Sequence, residues 1–534
     1  MAYKCYVKVH NEFSHAVFSV KLNQSTVAGG IKMDHTGYST VFNITEFGAI
    51  SDKTTLCTAA VNAAIRAATT AGGGTIYVPA GQFLTGPIRF QSNLTLELDA
   101  GASLIFSPDP AEFPLVFTRW EGAECDVYAP LIYGSNLENV AVIGRGILDG
   151  CGEYWWREFR ANHMKIPRPR FISFENCENV LIEGVKIINS PAWTINPIRC
   201  NNITIHKVNI KNPADSPNTD GINPDSCKNV HISDCHVDVG DDCITLKSGT
   251  EACRERIPCE NITITNCTLV HGHGGVVIGS EMSGGIRNAV ISNCVFEGTD
   301  RGIRIKSRRG RGGVVEDIRI DNVIMKGVIT PFVMQEYYHC GPGGKEPHVW
   351  DKNPHAVDGT TPVFRRIHLS NITAREVGAT AGFLYGLPEM PISDISFINV
   401  ALHLARNAEP ALPAMMDQLQ PMKQQGLICN HVKNAFFCNV MVSGHAGPAF
   451  TFENANQIEL SFCGALDADP GSPVFQLQDV TQATIRASRS DPELKNFLTI
   501  KGSQAAGIEL SGSNVNAEQI SFQDGADSSS LIQR

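Results

Sequence analysis

From residue 178 onward, hydrophobic and polar positions alternate in short bursts, and the bursts repeat. A polar pair leads into a β-branched run, then a polar residue, then a small apolar one. The phrase appears as "ENVLIEGVKI", "NNITIHKVNI", "KNVHISDCHV", "ENITITNCTL", "RNAVISNCVF", "EDIRIDNVIM", "RRIHLSNITA", "SDISFINVAL" and "KNAFFCNVMV". Its second polar residues are Asn179, Asn202, Asn229, Asn261, Asn288, Asp317, Arg366, Asp394 and Asn434, spaced by 23, 27, 32, 27, 29, 49, 28 and 40 residues. Alternation of period two predicts strands with one buried face. A repeat in the upper twenties, with insertions and almost no helical periodicity, predicts stacked coils of short strands: an all-β parallel β-helix. Leucine-rich repeats would need a Leu consensus and a helical arm, and neither is present.

Six residues beyond each of these positions stands Val185, Val208, Cys235, Cys267, Cys294, Val323, Ile372, Val400 or Val440. Cys and Val share one register, so Cys is expected there as a small buried hydrophobe. Asn266, Asn293, Asn322, Asn371, Asn399 and Asn439 precede it, which suggests an amide ladder along the stack. The clear helix signal is residues 54–74, "TTLCTAAVNAAIRAATTAGGG", with an apolar stripe (Leu56, Ala60, Ala64, Ala67) and a Gly stop. A coil stack needs a cover over its open end, so this segment is expected to be an N-terminal capping helix. Residues 1–40 are expected to form a β extension and residues 41–534 a single catalytic β-helix domain. Residues 402–424 interrupt the repeat as an excursion, and the coils are expected to fade towards the polar tail.

Composition narrows the function classes. The chain has 534 residues and a formal net charge of -10, which points away from nucleic acid and from an anionic membrane surface. The apolar runs fall short of a membrane span. The first 22 residues lack a signal-peptide pattern, so a cytoplasmic location with reduced thiols among the 17 Cys is expected. Oligomeric state is left open.

Four short motifs fall on the middle coils: "NTDG" (218–221), "GDD" (240–242), "HGHG" (271–274) and "RIK" (304–306). Asp220 and Asp241 are 21 residues apart, and His273 and Arg304 follow at 32 and 31. About one coil separates each from the next, so the coils would bring all four motifs onto one patch. Clustered carboxylates repel, so one should keep a proton near neutrality beside ionised neighbours. That is the equipment of glycoside hydrolysis. Basic side chains beside them suit a substrate that carries carboxylates. Alone, "NTDG" or "GDD" reads as a turn, and "HGHG" could bind metal, although no partner set for it is evident. Six basic residues lie between 301 and 311, a run otherwise read as a solvated face; Arg308, Arg309 and Arg311 are further candidates for carboxylate binding. Trp155 and Trp156 could pack a coil or line a sugar cleft.

With all four motifs intact and in order, the chain resembles the polygalacturonases of glycoside hydrolase family 28, from the cap region to about residue 345. The resemblance implies a right-handed parallel β-helix and inverting, single-displacement hydrolysis of α-1,4-galacturonosyl bonds in a pectic oligo- or polysaccharide, with no metal and no cofactor. It implies Asp241 as general acid, Asp220 and Asp242 as the water-activating pair, and His273 as support for the acid. Arg304 and Lys306 would bind the substrate carboxylate and Asn218 would line the subsite. Tyr337 would stack on substrate, with Tyr338 as the competing choice. An inverting pair is expected about 6.5–9.5 Å apart. "RWEGAECDVYAPLIYG" and "HGHGGVVIGSE" resemble the exo-acting bacterial branch. Loops around Trp120, Glu121 and Tyr128, or around Trp193, are candidates to block one end of the cleft. The alternatives are an endo-acting enzyme, a rhamnogalacturonan-type hydrolase, a non-catalytic binder of acidic glycans, and a pectate lyase.

Overall fold

The computed structural model describes residues 40–534 except 468, 470 and 491–493. The expected β extension falls on residues outside these. Residues 40–534 form one compact unit, a right-handed parallel β-helix. Its strands pair in parallel from coil to coil, and an antiparallel hairpin, Leu115–Trp120 with Ala123–Tyr128, stands out from the stack.

Each middle coil has three legs. One leg runs through Glu178–Glu183, Asn201–His206, Lys228–Ser233 and Cys259–Thr265, all in register. A second runs through Lys186–Ile188, Asn209–Lys211, His236–Val239 and Thr268–His271. The third carries Ile222, Ile244, Val276 and Ile303 side by side. Inward residues stack in columns: Val180, Ile203, Val230, Ile262, Ala289 and Ile318 follow one another up the core, each 2 % exposed or less. Such columns arise because period two sends alternate residues inward on every leg.

The corner between the first and third legs carries the amide ladder. Asn179 donates to Asn139 at 2.9 Å, Asn202 to Asn179 at 2.6 Å, Asn261 to Asn229 at 3.0 Å and Asn288 to Asn261 at 3.1 Å. These residues hold φ between 56° and 60°, a left-handed bend that Asn tolerates better than most residues. A second ladder lies at the next corner, where Asn322 donates to Asn293 at 2.8 Å and Asn399 to Asn371 at 3.1 Å. Cys235, Cys267 and Cys294 are buried in the register of the valines, and the sixteen described cysteines are free thiols.

The capping helix α1 is Thr58–Thr70, shorter than the segment 54–74. Residues Asp52–Leu56 form a strand instead, leaving Leu56 exposed. The buried stripe is Ala60, Val61, Ala64, Ile65 and Ala68. A second helix, α2 (Glu153–Arg160), was not expected from the sequence; it buries Trp155 and Trp156 against the stack, and neither lines the cavity described below. Eight residues between Gly152 and Ala161 are too few to display a helical period. The coils do not fade: strands Phe475–Gln478, Leu498–Lys501 and Ala506–Ser511 still pair in parallel with their neighbours. Their outward residues are polar, which masks the buried Leu477, Ile500 and Ile508 in a composition scan. The excursion leaves the stack after Ile392–Leu404 and rejoins it at Gln425–Asn430.

Candidate active site

The first three motifs occupy successive turns between the second and third legs, "RIK" lies on the third-leg strand Arg301–Lys306, and main-chain bonds join the neighbouring coils. Gly221 N–H donates to the Asp242 carbonyl (3.0 Å), Cys243 to Gly274 (2.8 Å) and Gly275 to Arg301 (2.9 Å). The motif glycines make this stacking possible. A Cβ on Gly221 would lie 2.5 Å from the Cys243 carbonyl oxygen, and one on Gly272 would lie 2.2 Å from that of Asp241. Gly272 also holds φ at 74°.

Asp220, Asp241 and Asp242 converge until one oxygen of each lies within 4.8 Å of the others. They share the wall of a 450 Å³ cavity with Asn218, Lys247, Glu281, Lys306 and Tyr338. At their facing oxygens the three carboxyls thus stand closer than the 6.5–9.5 Å expected between the groups of an inverting pair. Two hydrogen bonds of about 2.8 Å meeting at the tetrahedral angle of one water span about 4.6 Å, so carboxylate oxygens this close can hold a water between them.

The charges are strongly ordered. Burial alone would raise Asp242, 2 % exposed, but Lys306 donates to its Oδ2 at 2.8 Å and Arg304 to its Oδ1 at 3.1 Å. Together they hold it well below the usual carboxylate range. Asp220, 3 % exposed, is raised by burial and then by Asp241, against the pull of Lys247. Asp241 is raised by burial and by Asp242, against His273 and Lys306. Lys247 donates to Glu281 at 2.6 Å and lies 3.9 Å from Asp220; burial opposes its charge, but these carboxylates raise it. Four carboxyls (Asp220, Asp241, Asp242, Glu281) thus face three cations (Lys247, Arg304, Lys306), which favours one retained proton on the Asp220–Asp241 pair. Both Asp242 oxygens are already engaged by cations of the chain. The three carboxyls therefore do not offer the oxygen set a divalent ion needs, and they suit acid–base work.

His273 sits one turn on from Asp241, its main-chain N–H donating to the Asp241 main-chain carbonyl at 3.2 Å. Its Nδ1 meets Asp300 at 2.8 Å, and that bond raises its pKa. Arg304 lies behind the cavity wall and touches Asp242 and Met415, so a substrate carboxylate would meet Lys306 and not Arg304. Arg308 and Arg311 hold Glu251, and Arg309 grips Glu389, so these arginines serve carboxylates of the chain itself. Tyr337 does not reach the site. It is 1 % exposed in a separate cluster with Val333, Phe383 and Met416, under the Lys352 ammonium. Its neighbour Tyr338 faces the cavity, since adjacent residues of an extended chain point to opposite sides.

Sequence reasoning missed Lys247, Glu281, Asp300 and Arg168. Lys247 pairs in register with Asp225, and Lys306 with Gly279, which itself neighbours Lys247's strand, so a column of cations two coils apart was available as a signal. Arg168 donates to Asn218 Oδ1 at 2.6 Å and to the Pro217 carbonyl at 2.8 Å, fixing the "NTDG" turn. Burial pushes its pKa down to about 10.

The hairpin closes one flank of the cavity. Arg119 makes a buried ion pair with Asp225 at 2.7 Å, Trp120 stacks on Trp193 at 5.0 Å, and the Gly122 carbonyl accepts from Thr250 at 2.7 Å. The tip residue Glu121 lines the cavity, with its pKa raised by burial and by Glu281.

Comparison with known proteins agrees with this geometry. The family profile of glycosyl hydrolases family 28 matches residues 69–404. A probable polygalacturonase of Vitis vinifera is 35% identical over 379 residues, covering 69% of this chain and 75% of that protein. An endo-polygalacturonase of Pectobacterium carotovorum is 31% identical, over 50% of this chain and 68% of that one. The solved structure of a hyperthermoactive exopolygalacturonase from Thermotoga maritima superposes with a TM-score of 0.61 at 33% identity, over 69% of this chain and 88% of that one. Motifs, coil-to-coil convergence of three aspartates and profile thus agree, and the chain belongs to glycosyl hydrolases family 28.

Proposed function

We propose that this glycoside hydrolase removes galacturonate units from the end of α-1,4-linked galacturonan chains by inverting single displacement. The observation that carries the reading is the convergence of Asp220, Asp241 and Asp242 beside Lys306, in a cavity walled on one flank by the Glu121 hairpin tip. In this reading Asp241 protonates the leaving oxygen. Asp220 and Asp242 hold the attacking water between oxygens spaced for it. His273, whose charged form the Asp300 hydrogen bond favours, in turn favours the ionised form of Asp241 once the proton has gone. Lys306 and Asn218 meet the substrate from the wall. The hairpin is the observation that favours exo over endo action, because a chain crossing the cavity would have to pass through it.

Incubation with digalacturonate and polygalacturonate tests this. Galacturonate monomer alone at early times is the expected product. Mixed oligomers would establish endo action, and unsaturated products would establish a lyase. Proton NMR within the first turnovers should show the β-anomer; an initial α-anomer would mean retention and a covalent intermediate.

A further inference from the structure

Lys247 takes no part in the steps above, yet it is built into the site on three sides. It follows the strand Ile244–Leu246, and Glu281 follows Val276–Gly279 on the next coil. The Ser248 N–H donates to the Glu281 main-chain carbonyl at 2.8 Å, so the backbone itself brings the two segments together. The Lys247 ammonium donates to Glu281 Oε2 at 2.6 Å and stands 3.9 Å from Asp220 Oδ2, with the Trp193 ring 4.3 Å away. The three charged side chains are 10 % exposed or less. The ammonium is therefore shared unequally. Glu281 takes a hydrogen bond, and Asp220 receives only the field.

That field falls on one member of a pair that shares a proton. Inverting displacement needs the proton on the acid, Asp241, and not on Asp220, beside the water. The groups that face Asp220 are Asp241, Asp242, Lys247, Lys306, Arg168 and the Cys243 thiol. Of the cations, Lys306 donates to Asp242 at 2.8 Å, and Arg168 donates to Asn218 and to main-chain carbonyls. Among the described residues, Lys247 is the cation within ion-pair distance of Asp220. Burial works against the charge of Glu281, but Lys247, Arg311 and Lys306 hold its pKa below the usual carboxylate range. Ionised Glu281 thus competes with Asp220 for the ammonium.

We propose that Lys247 is a positioning residue that keeps Asp220 ionised and so sends the shared proton to Asp241, and that Glu281 weakens this effect by taking the hydrogen bond of the ammonium. This rests on Asp220 acting at the water, as in the reading above. The test is the acid limb of kcat/KM against pH on digalacturonate, for the parent, for Glu281→Gln, and for the double variant Lys247→Met with Glu281→Gln. The double variant removes both charges, so neither is left buried and unpaired. An opposite charge within about 4–6 Å lowers a carboxyl pKa by about 1–3 units. Losing the ammonium raises the pKa of Asp220, so the acid limb of the double variant should move to higher pH by about one unit or more. Glu281→Gln leaves the ammonium to Asp220, so its acid limb should move to lower pH. A structural role alone would not move the two limbs in opposite directions. Unmoved limbs, or limbs that move the same way, overturn the assignment. A rise in KM with an unmoved limb also overturns it and makes Lys247 a substrate contact. Glu281→Gln keeps a partner for Lys247 and decides the matter alone if the double variant does not fold. An active parent with unmoved limbs in its variants overturns only the role of Lys247, whereas a parent that cleaves no galacturonide overturns the hydrolase reading as well.

Discussion

Replacing Asp241 by Asn removes a proton donor while sparing the geometry. The amide is nearly isosteric and keeps an oxygen to accept the Asp242 N–H, now at 2.8 Å. General acid help is worth about 10²–10⁴-fold, so kcat on digalacturonate should fall by that factor, about 3–5.5 kcal/mol of barrier. An aryl galacturonide, whose phenolate leaves without a proton, should lose less than about tenfold. Stability should move the other way. Oxygens within 4.8 Å repel by about 3.5 kcal/mol when both carboxyls are ionised at an effective dielectric of 20. The retained proton already relieves part of this, so the variant should gain about 1–2 kcal/mol at neutral pH. The sign follows from the raised Asp241 pKa. Parent stability falls as pH rises from the ordinary carboxyl range through the folded value, whereas Asn does not titrate. The gain should vanish below about pH 4 and grow towards pH 7. Initial rates on both substrates and thermal midpoints at the two pH values read these effects. Near-normal kcat, or an equal loss on both substrates, refutes Asp241 as the acid.

Asp220→Asn should lose activity on the aryl substrate as severely as on digalacturonate, because its task is at the water; a loss that shrinks with the better leaving group would exchange the two roles. Asp300→Asn withdraws the partner that raises His273, so the alkaline limb of the kcat/KM profile should move to lower pH; an unmoved limb means that His273 does not set it. Removing the hairpin tip with Trp120→Ala and Glu121→Gly should turn early products from monomer into mixed oligomers, read by chromatography. Asn229→Ala should cost about 2–3 kcal/mol in denaturation, from two lost amide bonds and the left-handed bend; Asn229→Gly, which keeps only the first cost, should lose less.

The coil period, the buried Cys–Val register and the four motifs were legible because each is a local pattern repeated at a fixed interval. Asp220, Asp241 and Asp242 could be placed together from spacing alone. What spacing could not say was which side of a strand or corner a residue faces after an irregular turn. Tyr337 and Tyr338 differ by one residue and end in opposite environments. Arg304 and Lys306 share a motif, yet Arg304 is spent behind Asp242 while Lys306 reaches the cavity wall. Lys247 and Glu281 attract each other across 34 positions, and no local rule links them. The packing of 405–424 was illegible for a related reason: Arg301 is held by its main-chain carbonyls, which any sequence possesses, and its Asp417 meets His339 across 78 positions.

The left-handed asparagines have a consequence for how such a site can change. Spacing between successive ladder positions ranges from 23 to 49 residues, yet Asn202, Asp317 and Arg366 return to φ of 53–57°. Each corner acts as a phase reset: whatever length a turn gains or loses, the next coil starts again at the same angle. The catalytic column is thereby insulated from insertions on either side of it. A wall such as the hairpin can be lengthened, trimmed or exchanged without shifting an aspartate, so substrate reach and bond cleavage are separately adjustable in this architecture.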